Sequence, residues 1–171
     1  MTKFLLAVHV IAAIVAIGPV TVAASMFPPA ARRALAAPDD VRAAETVRLL
    51  HRICRVYAAV GIAVPAFGFF TASAMGVLGD AWLIGSIALT VVAAIVLVVL
   101  VLPGQEVLVE GVPDADARTG TGGTSSGSGS GQGAVTREAT VRLAMFTGIF
   151  NLLWATVTVL MIVRPGSTTG A

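Results

Sequence analysis

The chain has 171 residues, 57% of them hydrophobic and 12% charged, against about 45–50% and about 25% in a soluble domain. That balance places it among integral membrane proteins, at a size for one domain, and its arginines lack the interleaved aromatics of a nucleic-acid surface. The net charge is only +2, and the single cysteine, Cys54, excludes an intrachain disulfide and any multi-cysteine metal or iron–sulfur site within the chain.

The first apolar run, residues 4–24, reads FLLAVHVIAAIVAIGPVTVAA and carries one ionisable side chain, His9. Crossing the hydrocarbon of a bilayer takes about 20 such residues, so the run is predicted to span it. Lys3 ahead of the run, with Val22 and Ala24 before Ser25, also fits a cleaved secretory signal. The run is longer than the about 7–15 residues of a signal core, which favours a retained span. The helix is expected to end near Met26, because Pro28 and Pro29 supply no amide hydrogens and disfavour helix in the residue before them.

Pro38-Asp39-Asp40 opens the next helix, where an aspartate caps free amides and suits the positive helix end. Arg42, Glu45, Arg48, Arg52 and Arg55 then recur at three- and four-residue spacing on one face. Val47, Leu50 and Cys54 lie on another. The arginine face reads as a solvated lead-in with snorkelling side chains, or as a surface for lipid headgroups or a partner. The second span is predicted at about 53–77. Pro65 should kink it, and Gly61, Pro65, Gly68, Ala72 and Gly76 form a small-residue stripe for close helix packing.

Leu78-Gly79-Asp80 is a short turn that makes spans two and three a hairpin. The third span, about 81–102, is the most uniformly apolar and is expected to face lipid over much of its surface. Trp82 sits at its start, where an amphipathic ring suits the interface, and Pro103-Gly104 should end it. Residues 104–134 turn acidic and then Gly/Ser-rich, and are expected to form a flexible cytoplasmic loop. The fourth span is predicted at about 143–163, stopped by Arg164-Pro165-Gly166.

Four spans put both termini on one side. Arg32, Arg33, Arg42, Arg48, Arg52, Arg55, Arg118, Arg137 and Arg142 fall on the loop side, and Lys3 and Arg164 on the other. Nine against two places the loops in the cytoplasm and both termini outside. The predicted fold is therefore all-α: an antiparallel up-down four-helix membrane bundle, with the lipid bilayer as its surroundings.

At about 1.5 Å per residue, His9, Thr71, Ser86 and Thr158 all fall roughly 7–9 Å inside the outer membrane face. His9 shares its face with Ala12, Ala13, Ala16 and Val20, and Asn151 lies deeper on the fourth span. An ionisable group inside a membrane is a candidate site, binding a metal or haem iron or relaying a proton. The competing reading of His9 is a neutral ring hydrogen-bonded to Ser or Thr across a helix interface, and Asn151 reads best as interhelical glue. His51, among arginines at the opposite boundary, is expected at the surface and too far from His9 to share one iron. Cys54 with His51 is a weak nucleophile–base signal.

The stretches FLLAVHVIAAIVAIGP in span one and RLAMFTGIFNLLWATVTVLMIVRPG in span four resemble a bacterial domain-of-unknown-function family of predicted integral membrane proteins, and the Ala, Gly, Val and Arg richness is similar to that of actinobacterial members. The first-helix leucine–histidine–small-residue pattern is also similar to copper-resistance D-type membrane proteins and to the haem-binding, J-type protoporphyrinogen oxidases. That resemblance implies metal or haem work for the first-helix histidine, here His9. No lysine lies in spans two to four, a departure from the oxidase pattern. The expected protein is a small four-span protein of the bacterial cytoplasmic membrane, non-enzymatic, acting as a homo-oligomer or as a subunit of a membrane assembly. Haem b or a metal ion on His9 is the alternative, and small-solute or ion transport the second alternative.

Overall fold

The computed structural model describes residues 2–112 and 129–166, with side chains over 3–112 and 137–166. Among them all regular structure is helical: α1 (Thr2–Ala36), α2 (Val41–Val60), α3 (Ala63–Met75), α4 (Ala81–Ile95), a π-helical turn at Val96–Val101, α5 (Leu102–Glu110) and α6 (Gly129–Val163). They build four rods long and apolar enough to cross a membrane, namely Lys3–Ala36, Val41–Met75, Ala81–Glu110 and Arg137–Val163. Neighbouring rods are antiparallel. His9 meets Val64 while Phe27 meets His51, and Trp82 meets Arg164 while Gly104 lies beside Leu143.

The expected stop at Pro28-Pro29 does not occur. Helix α1 runs through Pro19, Pro28 and Pro29 to Ala36. A proline inside a helix costs about 3 kcal/mol through its missing amide and ring clash. Packing offsets that cost here, because Phe27, Pro28, Ala31 and Ala34 are all buried against Val47, Leu50 and Cys54 of α2. At 35 residues the helix is about 52 Å long. It therefore exceeds the roughly 30 Å hydrocarbon core of a bilayer, with Arg32 and Arg33 in its last turns.

The kink near Pro65 is a break. The helix stops at Val60 and resumes at Ala63. Pro65 cannot donate to the Gly61 carbonyl, which accepts from the Val64 amide at 3.1 Å instead. The hairpin is as expected: Gly76 closes α3 in the left-handed region at φ 71°, where glycine pays no Cβ penalty, and Asp80 leads into α4.

Pro103-Gly104 does not end the third rod. The π turn over Val96–Val101 comes first, with the Leu102 amide bonding the Leu97 carbonyl. This widens the ladder just before the proline, and α5 then continues to Glu110. Residues 104–110, expected as flexible loop, are thus helical, as is the backbone from Gly129. The stretch 113–128 of that loop lies outside the described residues. Ile84, Ile87, Val91, Val92, Ile95, Val98 and Val99 are exposed, an apolar outer face on this rod.

The core is lopsided. Phe27, Ala31, Val47, Leu50, Leu97, Val101, Leu108, Leu143 and Phe150 make one cluster at the loop end of the bundle. Gln105, fully buried there, links two positions of α2. Its Oε1 accepts from His51 Nδ1 at 3.1 Å, and its Nε2 donates to Cys54 Sγ at 3.4 Å. Both ends of the buried amide are therefore satisfied. The opposite end holds only a small cluster of Ala72, Trp82 and Leu83.

Candidate ligand site

The thinly packed end encloses a half-open chamber of about 1440 Å³, above the roughly 300–1,000 Å³ usual for small-ligand pockets. Its origin lies in the pairing of rods. Helix α3 packs on α1, and α4 packs on α6. Between the two pairs the lining positions Ala13, Gly18 and Gly68 are small and leave the space unfilled.

His9 forms part of the wall and is 8% exposed. Its Nδ1 lies 3.1 Å from the Val64 carbonyl oxygen. A carbonyl only accepts, so Nδ1 carries a proton, and in a neutral ring Nε2 then keeps its lone pair. Gly68 makes room for the ring. A Cβ there would stand 2.9 Å from His9 Cε1, closer than side chains pack. The break before Pro65 positions both partners, since it sets the start of α3 against the first turns of α1.

The other members of the predicted polar layer are not joined to His9. Thr71 donates to Phe67 O, Ser86 to Trp82 O and Thr158 to Trp154 O, each one turn back on its own helix. Thr71 and Thr158 do line the chamber with His9, while Ser86 is fully buried. Asn151 is interhelical glue as read: its Nδ2 donates to Ser25 Oγ on α1 at 3.1 Å. Its Oδ1, and the nearby Thr147 Oγ1, are buried with no partner among the described residues.

Two residues of the site escaped the sequence reading. Arg164 lines the chamber, with its guanidinium carbon 5.6 Å from the Trp82 ring centroid, within cation–π range. The residue has a left-handed backbone at φ 46°, which costs a non-glycine residue about 1–2 kcal/mol. Trp82, expected to lie in the interface, is 9% exposed and donates Nε1–H to Asp80 Oδ2 at 3.0 Å. The signal available in sequence was that both residues end spans on the same side. His51, expected at the surface, is half-buried, bound to Gln105 and edge-on to Phe27.

A metal ion held by several side chains does not fit the donor set, since no group of three or more His, Cys, Asp or Glu exists among the described residues. Haem fits. The porphyrin brings four nitrogens, and His9 offers one, with its other ring nitrogen bound to a backbone carbonyl, the arrangement that orients ligating histidines. No family model matches the chain, and no curated protein or solved structure matches it.

Proposed function

We propose that the chain is a non-enzymatic, multi-pass protein of the bacterial cytoplasmic membrane, with both termini outside, that holds a ligand in the chamber beside His9 as a homo-oligomer or as a subunit of a membrane assembly. The observation that carries this reading is the anchored imidazole. Val64 O binds Nδ1 and leaves Nε2 as the ring nitrogen free to hold a ligand, on a residue that lines a large, mostly apolar chamber. The nine-to-two distribution of Lys and Arg supports the orientation.

The same hydrogen bond favours haem as that ligand. His9 would hold the iron, and the Arg164 guanidinium, on the same chamber, has the charge that pairs with a propionate. Bound haem supplies one-electron chemistry. His9 would fix and orient it among the chamber's mostly apolar walls.

The test is an absorption spectrum of the protein purified in mild detergent, with mass spectrometry of whatever it retains. A retained compound is expected in the parent and lost in His9→Ala, and a Soret band identifies it as haem. A colourless protein that retains nothing overturns both readings. A retained colourless compound that His9→Ala releases keeps the first and removes haem.

A further inference from the structure

A second, smaller recess lies towards the loop end. It has a volume of about 350 Å³ and separates α2 from the third rod, with Tyr57 and Ala58 on one side, Ala94 and Leu97 on the other, and Phe150 and Trp154 of α6 behind. Its lining is apolar apart from Tyr57, Thr90 and, at one end, Arg55, its only charged residue. Arg55 is exposed and has no partner among the described residues. It is also the last charge before the apolar stretch that runs to Asp80, so it sits at the membrane boundary.

The dimensions are those of one leaflet. The recess extends from Arg55 to Pro65, ten residues along the rod, or about 15 Å at helical rise. That is half of the roughly 30 Å hydrocarbon core. An arginine at headgroup level above a leaflet-deep apolar slot matches a lipid with a negatively charged head and a long acyl chain. A soluble anion would leave the slot empty, and a zwitterionic lipid would leave the guanidinium without net attraction.

We infer that this recess is a binding site for an anionic phospholipid of the inner leaflet, with its phosphate on Arg55 and an acyl chain between α2 and the third rod. The site is separate from the His9 chamber in its charged residue, although Ile17, Pro65, Thr90 and Trp154 line both. It stands whether or not His9 holds a ligand.

The chain has two tryptophans, and Trp154 is the one that lines this recess. In a Trp82→Phe background Trp154 is the sole tryptophan, and because it also borders the His9 chamber, the Arg55 variants assign the signal to the recess. The protein is reconstituted into phosphatidylcholine vesicles doped with brominated phosphatidylglycerol or with brominated phosphatidylcholine, and quenching of Trp154 is measured. Quenching per mole of brominated lipid should favour the anionic lipid about fivefold, the attraction of one arginine near a charged headgroup. Arg55→Gln should remove that preference. Arg55→Lys should keep it, and Arg52→Gln, outside the recess, should leave it unchanged. Ala94→Phe, which fills the slot, should weaken quenching by both lipids. Equal quenching by the two lipids in the parent, or a preference that survives Arg55→Gln in a protein of unchanged helicity, overturns the assignment.

Discussion

Gly68→Val should lower stability by about 3 kcal/mol and detach His9 from its anchor. Even the first carbon of the new side chain would lie 2.9 Å from His9 Cε1, and the ring has little freedom to yield, being buried and bonded to Val64 O at 3.1 Å. Overpacking a tight contact costs about 1–3 kcal/mol, and losing the hydrogen bond adds about 1 kcal/mol. For a chain of this length the thermal midpoint in detergent should fall by roughly 6–12 °C. The cause is separable by a double-mutant cycle. In His9→Ala/Gly68→Val the ring is gone, and since the three atoms nearest that Cβ all belong to His9, most of the loss should be restored. If the two losses simply add, His9 is not what Gly68 makes room for.

The second large effect belongs to the other end of the bundle. Phe27, directly before Pro28 and Pro29, is fully buried in the cluster shared with α2, edge-on to His51 with ring centroids 6.5 Å apart. Phe27→Ala should cost about 3–5 kcal/mol, the range for emptying an aromatic site in a core. It should also shorten α1, because burial of this segment is what carries the helix across Pro28 and Pro29. Circular dichroism should show that loss of helix together with the lowered midpoint. Phe70→Ala is the matched control: that ring is 61% exposed, and its removal should change stability by less than about 0.5 kcal/mol. Equal losses at the two positions would refute the lopsided core.

Patterns confined to one segment were legible in the sequence. The four apolar runs, the turn at Leu78-Gly79-Asp80 and the bond-forming role of Asn151 all follow from composition and spacing, because each depends on neighbours along the chain. The prolines misled because their cost is local and what offsets it is not. Nothing in Phe27-Pro28-Pro29 shows that Val47 and Cys54 will cover it. Gln105 was hidden for the same reason: a polar residue after Pro103-Gly104 reads as loop until His51 and Cys54 are placed beside it.

The candidate site was half legible. His9 stands out as the lone ionisable group in its span, and Thr71 and Thr158 do share a chamber with it. Their common depth did not mean mutual hydrogen bonds, since a helical hydroxyl can bond the carbonyl one turn back at no cost in contacts. The partner that His9 does have is a backbone carbonyl, which no sequence pattern marks. Arg164 was counted as a boundary charge, although the left-handed turn at its own backbone brings it over Trp82.

The membrane frame underlies both ligand readings, and impermeant maleimide labelling of intact bacteria tests it most directly. The lone native cysteine, Cys54, is buried, so single reporters can be read without removing it. Ser167→Cys, after the last span, should label from outside, and Ser126→Cys, in the Gly/Ser stretch, only after the cells are opened. Labelling of Ser126→Cys on intact cells with Ser167→Cys spared would contradict the account.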